Sequence, residues 1–115
     1  MTPQPEALVR DFCAACGRRD VDEVLTFFTD DAVYHNIPMP AVEGHDAIRN
    51  VLGMFLTPAE MIEFEILRLA VAGDVVFTER VDRFVMAGRK IELPVAGVFE
   101  VRDGKIAAWR DYFDM

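Results

Sequence analysis

The sequence predicts an α+β fold in which helices come first and an antiparallel sheet follows. Apolar residues recur at helical spacing up to about residue 55, whereas long strand-like segments with short turns follow from Met61 onward. The chain has 115 residues and a mass of 13.0 kDa, which suffices for one hydrophobic core and is too short for two. We therefore expect a single domain over residues 1–115.

The helical half begins with an amphipathic segment over about residues 6–18. Its apolar residues follow helical spacing, and Gly17 would let the helix end. Asp20 followed by Glu23 resembles a capping box that opens a second helix, which we expect to run through Phe28. The polar run of residues 29–31 would then interrupt that helix.

A short strand over residues 32–37 and a third helix complete this half. Pro38 and Pro40 would end the strand, because proline cannot donate a hydrogen bond to a sheet. Gly44 precedes the helix, whose apolar residues are Ile48, Val51, Leu52 and Phe55.

Four strands are predicted in the second half, over about residues 61–72, 75–87, 90–102 and 105–113. The turns between them are Gly73-Asp74, Ala87-Gly88 and Asp103-Gly104, which favour hairpins. Three successive hairpins make a meander. A curved sheet of this kind can leave a cavity between its concave face and the helices.

Composition and charge limit the class of partner. Hydrophobic residues make up 52% of the chain, including nine Phe and six Met, so we expect some of them to line a pocket or a subunit interface. The net charge of −8 and pI near 4.6 argue against nucleic acid and membrane as partners, because both attract basic surfaces. Without a membrane-length apolar run or a signal-peptide pattern, the interpretation is a cytoplasmic protein.

Cysteine and histidine spacing argues against redox and metal chemistry. Cys13 and Cys16 form a C-x-x-C pair inside a helical pattern, without the preceding strand that a thioredoxin-like motif requires, and we expect two partly buried helix residues. His35 and His45 lack a second ligand at a useful spacing. The sequence therefore predicts no metal site.

Five polar residues lie inside otherwise apolar strand segments. Because side chains alternate along a strand, Arg80 and Asp82 point to one face. The same alternation aligns Tyr34 with Asn36, and Asp111 with Trp109 and Phe113. If these faces converge, an apolar cavity holds two carboxylates, a guanidinium, a phenol and an amide.

Arg80 and Asp82 can form an ordinary ion pair while Asp111 caps a turn near the C-terminus, or the group can carry acid–base chemistry. An arginine can bind one carboxylate at each edge of its planar group, so Arg80 could join Asp82 to Asp111. Two carboxylates sharing one arginine occupy different environments, and one can be ionised while the other is protonated. The ionised carboxylate could then deprotonate a water held by the phenol and the amide, while the protonated one donates to a leaving oxygen.

Three blocks of sequence resemble the limonene-1,2-epoxide hydrolase family, within the cone-shaped folds related to nuclear transport factor 2, ketosteroid isomerase and SnoaL-like proteins. The blocks are Tyr34-His35-Asn36-Ile37-Pro38-Met39-Pro40 with Gly44, Glu79-Arg80-Val81-Asp82, and Gly97-Val98-Phe99 continuing through residues 104–114. The resemblance covers nearly the whole chain. It implies a cone-shaped α+β fold with about three helices packed on a strongly curved mixed, mostly antiparallel sheet.

The resemblance also implies an activity, namely one-step addition of water to an apolar epoxide without cofactor or covalent intermediate. Asp111 would be the general base, Asp82 the general acid and Arg80 the bridge between them, with Tyr34 and Asn36 holding the water. The implied apolar lining is Phe84, Leu93, Val95 and Trp109, with Phe55 as a further member for which we prefer core packing. A homodimer formed through the outer face of the sheet, with Phe77, Val81 and Val85, is common in this fold group.

Two other functions share the fold. A ketosteroid isomerase-like or polyketide cyclase-like enzyme would need one base and neutral oxyanion donors, which fits an arginine held between two aspartates less well. A binding domain for a hydrophobic ligand would not need both aspartates. The sequence does not identify the natural epoxide.

Overall fold

The computed structural model describes residues 4–114 as helices packed on one face of an open six-stranded sheet. The helices are α1 (Gln4–Arg18), α2 (Val21–Leu25) and α3 (His45–Leu56), and the strands are β1 (Phe28–Asn36), β2 (Val42–Glu43), β3 (Met61–Ala72), β4 (Val75–Met86), β5 (Arg89–Arg102) and β6 (Lys105–Tyr112). The strand order is β2-β1-β6-β5-β4-β3. Only the β1–β6 pair is parallel among these neighbours, so the predicted mixed, mostly antiparallel sheet is confirmed.

The β3–β6 meander agrees with the predicted strands to within one residue at each end. Ala87 and Gly88 both adopt positive φ angles, as do Asp103 and Gly104, which matches the tight hairpin turns that their sequences predict. These signals are local, and for that reason the sequence predicts them well.

The first helix ends at Arg18, as predicted, although Gly17 itself is still helical. Arg19 then takes a positive φ of 62°. Gly17 has a different role: a Cβ there would lie 3.2 Å from the carbonyl oxygen of Ile62, so glycine permits close packing of α1 on β3. Cys13 and Cys16 on this helix are free thiols and fully, not partly, buried.

The second helix is shorter than predicted, and Phe28 belongs to a strand. Asp20 caps α2 by accepting hydrogen bonds from the Asp22 and Glu23 backbone amides, but the Glu23 side chain binds Arg18. Phe28 pairs with Ile106, and its ring packs 5.4 Å from that of Phe12. Burial of this ring outweighs the polar run that follows, and a register shift between residues 28 and 33 accommodates that run.

The core lies between the helices and the inner face of the sheet. It includes Phe12 and Cys16 from α1, Leu52 from α3, and Phe99 and Trp109 from the sheet. Within residues 4–114, no helix is long and apolar enough to cross a membrane. The two-residue strand β2, which pairs with Tyr34 and Val33, was too short to predict.

Candidate active site

Arg80 lies at the centre of the site and joins two carboxylates. Its Nε and Nη2 atoms donate to Asp82 at 2.9 and 2.8 Å, and Nη2 and Nη1 donate to Asp111 at 2.8 and 3.2 Å. The exposed fractions are 1% for Arg80, 3% for Asp82 and 4% for Asp111. The three side chains are thus withdrawn from water together, as the alternation of side chains predicts.

The sheet places Arg80 and Asp111 two strands apart, with β5 between them. Gly97 stands opposite Thr78 on one side and opposite Asp111 on the other. A Cβ on Gly97 would collide with the Arg80 guanidinium and would lie 2.9 Å from Asp111 Oδ1. Glycine at this position therefore opens the gap that the guanidinium crosses.

Neighbouring groups hold Arg80 in this position. Its Nη1 also donates to the Thr78 hydroxyl at 3.2 Å. The guanidinium carbon lies 5.1 Å from the Phe64 ring centre and 5.9 Å from that of Phe99, within the range of cation–π contacts. Burial lowers the pKa of Arg80, but the two carboxylates outweigh this effect and raise it above its ordinary value. Arg80 is a permanent cation.

Asp111 has a hydrogen-bond donor that Asp82 does not share. The Trp109 indole Nε1 donates to Asp111 Oδ1 at 2.7 Å. Burial raises the pKa of Asp111, whereas Arg80 and this indole hydrogen bond act in the opposite direction. Asp111 accepts three side-chain hydrogen bonds, two from Arg80 and one from Trp109, whereas Asp82 accepts two, both from Arg80.

Tyr34 and Asn36 reach the same place from β1. In the parallel β1–β6 pair, Tyr34 is opposite Trp109 and Asn36 is opposite Asp111. The Tyr34 ring stacks on Trp109 with centres 4.2 Å apart and planes 10° from parallel. Burial, followed by the nearby Asp111 carboxylate, raises the pKa of Tyr34 well above its ordinary value, so the phenol keeps its proton.

These polar groups open onto a cavity of about 220 Å³, which we call the central cavity. Its polar lining is Tyr34, Asn36, Asp82 and Asp111, and its apolar lining is Met39, Phe55, Phe64, Phe84, Leu93, Val95 and Phe113. All five polar residues singled out in the sequence thus meet, with Arg80 behind the two aspartates. Phe55 lines the cavity, contrary to the core packing that we preferred.

Trp109 does not take the lining position expected of it. It is 1% exposed, stacks on Tyr34 and Phe99, and lies behind the cavity wall. Alternation places Trp109 on the inner face, but it cannot show that the Tyr34 ring covers it.

Sequence reasoning missed Met39, Phe64 and Phe113 as lining residues, and Thr78 and Gly97 as supports. The signal for Gly97 was a glycine inside a strand pattern, which often marks close approach of another group. Among residues 4–114, no group of three or more metal-binding side chains comes together. The polar side chains of the site, two carboxyl groups, a phenol and an amide, are suited to holding water and moving protons.

The chain is similar to known proteins over nearly its whole length. Residues 3–115 match the limonene-1,2-epoxide hydrolase catalytic domain. Epoxide hydrolase EphG of Mycobacterium tuberculosis is 35% identical over 107 residues, covering 93% of this chain and 71% of that protein.

Solved structures share the same fold. A limonene-1,2-epoxide hydrolase-like epoxide hydrolase from M. tuberculosis superposes with a TM-score of 0.86 at 33% identity, covering 96% of this chain and 83% of the other. A Catenulispora acidiphila protein with a ketosteroid isomerase-like fold gives 0.84 at 22% identity, covering 94% and 85%, a likeness that shows the fold alone. On the family match and the identity to EphG, this chain belongs to the limonene-1,2-epoxide hydrolase family.

Proposed function

We propose that this protein is an epoxide hydrolase that adds water to an apolar epoxide in one step and releases a vicinal diol. The observation that carries the proposal is Arg80 bound to Asp82 and Asp111 at the edge of an apolar cavity. Family membership and the epoxide hydrolase names of the mycobacterial matches support the same reaction.

In this mechanism Asp111 is the general base. A water held by Tyr34 and Asn36 loses a proton to Asp111 as its oxygen attacks one epoxide carbon. The hydrogen bond from Trp109 and those from Arg80 favour the ionised form of Asp111, while burial makes it a stronger base than an exposed aspartate.

Asp82 is the general acid. Its proton passes to the epoxide oxygen as the carbon–oxygen bond breaks, so the products are the diol, a protonated Asp111 and an ionised Asp82. Proton exchange with solvent restores the starting state. Arg80 keeps its hydrogen bonds to both carboxylates throughout the reaction. The two aspartates therefore share one proton, and Arg80 fixes the positions of their oxygen atoms. No cofactor takes part in these steps.

The substrate we propose is a small apolar epoxide, since most of the central cavity is lined by aromatic and aliphatic side chains. The acidic chain, with a net charge of −8, would not favour nucleic acid or an anionic membrane surface as a partner.

We also propose a homodimer formed through the outer face of the sheet. Leu67, Phe77 and Tyr112 are exposed at 47%, 46% and 45%, respectively. Ion pairs border this apolar area, among them Arg110 with Glu100 and Arg68 with Glu79. An apolar centre with a charged border is typical of a subunit interface.

The hydrolase proposal is tested by measuring diol formation from a panel of cyclic and linear epoxides in metal-free buffer. We expect diol from the wild type and a loss of at least about 10²-fold in turnover for Asp111→Asn and for Asp82→Asn. Retained turnover in both variants would contradict the mechanism. The absence of diol from every epoxide, with the protein folded, would favour a carbonyl substrate instead.

A further inference from the structure

A second cavity of about 250 Å³ adjoins the central cavity, and we call it the side chamber. The two share Tyr34, Asn36, Met39 and Phe55 as lining residues. Pro40, Val42, Val51 and Met54 complete the side chamber. It therefore begins at the wall where the attacking water would be held and extends between α3 and the segment that joins β1 to β2.

The side chamber is apolar, and one of its walls is a second apolar stripe on α3. Ile48, Leu52 and Leu56 face the core and are fully buried. Val51, Met54 and Phe55 face the chamber, and Met54 is 71% exposed. All eight described residues that line the chamber are uncharged, so a hydrocarbon group suits it and an ionic group does not.

Each cavity is small, so a substrate with a long hydrocarbon arm would need the space of both. Pockets that enclose drug-sized ligands measure roughly 300–1,000 Å³. Neither cavity reaches that range alone, at about 220 and 250 Å³, whereas the two combined fall within it. Met39 and Met54, which are exposed at 43% and 71%, lie at the rim, and methionine side chains adapt readily to ligands of different shape.

We propose that the side chamber binds one hydrocarbon arm of the epoxide, so that the preferred substrates are internal epoxides with two apolar arms. The oxirane ring lies in the central cavity beside Asp82 and Asp111, the shorter arm stays there, and the longer arm passes Phe55 into the side chamber. This inference rests on the proposed epoxide hydrolysis and names its substrate class.

The first test uses cis-epoxyalkanes in which one arm is ethyl and the other is lengthened from methyl to hexyl. Burial of one methylene group strengthens binding about fourfold. The kcat/KM of the wild type should therefore rise by about that factor for each added methylene until the chamber is full. Val51→Phe fills the chamber, and Met54→Glu places a charge at its exposed rim. For each variant, kcat/KM for the longest substrate divided by kcat/KM for the shortest should be at least tenfold lower than in the wild type.

Gly53→Ala is the matched control on the same helix, since a Cβ at that position meets nothing within 4 Å. It should keep the wild-type ratio. An unchanged ratio in both Val51→Phe and Met54→Glu would overturn the proposal, and the exposed position of Met54 protects that variant from failure to fold.

A second measurement separates this inference from the hydrolase proposal. With methyl-labelled methionine, the longest vicinal diol should shift the Met54 and Met39 NMR signals of the wild type, while Met61, which lines neither cavity, stays unchanged. No shift at Met54 at saturating diol would overturn the side-chamber proposal. A shift in a protein that hydrolyses no epoxide would support the chamber and contradict the hydrolase.

Discussion

Arg80 makes the burial of two carboxylates at one site energetically possible. Bringing two carboxylates into the protein interior is unfavourable unless a cation and hydrogen bonds compensate. Arg80 supplies both, with hydrogen bonds of 2.8 Å to each aspartate from one Nη2 atom. With both aspartates ionised the group carries one net negative charge, and one added proton neutralises it. The site is therefore prepared to hold a single proton.

This charge balance predicts different stabilities for two substitutions. We expect Asp111→Asn to change the free energy of unfolding by less than about 2 kcal/mol. The amide oxygen can still accept from Trp109 and from Arg80 Nη1, and the fall in buried net charge offsets the lost acceptor for Arg80 Nη2. Arg80→Met should cost about 3–5 kcal/mol, since it leaves two carboxylates without a cation. Urea unfolding at neutral pH measures both. Equal losses would show that Arg80 does not compensate the carboxylates.

The pH dependence of stability should differ between wild type and Asp111→Asn. The pKa of Asp111 is raised in the folded state, above 3.8, so the unfolded chain ionises first as pH rises. As pH increases from 3.8 through the pKa of Asp111 in the folded state, the wild type should thus lose stability relative to Asp111→Asn. Above that pKa, the difference in unfolding free energy between the two proteins should be constant. Unfolding measured at a series of pH values checks this. A difference that does not vary with pH would contradict it.

Trp109 is predicted to act through Asp111, as a positioning residue. Trp109→Phe keeps an aromatic ring against Tyr34 and removes the N–H donor at 2.7 Å. Because that hydrogen bond lowers the pKa of Asp111, its loss should raise this pKa. The acidic limb of the kcat profile should move to higher pH, with kcat reduced about tenfold or more. An unmoved limb with lower kcat would indicate a purely structural role.

At the scale of elements, the site is assembled from three strands that are distant in sequence. Arg80 on β4 reaches Asp111 on β6 across β5, and strands in a sheet lie about 4.8 Å apart. The intervening position is Gly97. Parallel pairing of β1 with β6 then places Asn36 beside Asp111 and Tyr34 beside Trp109. One glycine and one parallel register thus determine the geometry.

Gly97→Ala should therefore damage the site without changing any functional group. Its Cβ would meet the Arg80 guanidinium, and would lie 2.8 Å from Thr78 Oγ1. We expect a destabilisation of about 1–3 kcal/mol and a loss of turnover of at least tenfold. Gly53→Ala on α3 meets no atom within 4 Å and should stabilise the helix by about 0.5–1 kcal/mol. Thermal unfolding and diol assays on both variants test this, and equal behaviour would contradict it.

The elements themselves were predictable wherever the signal was local. The hairpins of strands β3 to β6 follow from turn residues and alternation. The start of α2 follows from Asp20, a residue type that favours the N-cap position. Phe28 was misassigned because Thr29–Asp31 suggest a loop, whereas burial against Phe12 and Trp109 makes residue 28 part of the sheet. Long-range packing of this kind has no local signature.

At the scale of the whole molecule, the helices close one face of the sheet and leave the other face exposed. The covered face holds the core and the two cavities. The outer face carries Phe77, with Val81 and Val85 half-buried on the same strand. The high hydrophobic content predicted a pocket or a subunit interface, but only the strand order shows which residues of β4, β5 and β6 are neighbours on this face.

The proposed homodimer gives a direct prediction for this outer face. Phe77→Asp would place a charge at its apolar centre, so we expect sedimentation to show a dimer for the wild type and a monomer for the variant. Ile91→Asp, at a 43% exposed residue outside this patch, is the control and should remain dimeric. A monomeric wild type at micromolar concentration, or a dimeric Phe77→Asp, would contradict the interface.

The central claim is that Asp111 activates water for direct attack on the epoxide. A single turnover with enzyme in excess, run in water labelled with oxygen-18, tests it most directly. The account predicts that the diol from this first turnover contains the label and that the protein contains none. Unlabelled diol would mean that a carboxylate oxygen attacked first and formed an ester. That result would contradict the one-step mechanism and assign an aspartate as nucleophile.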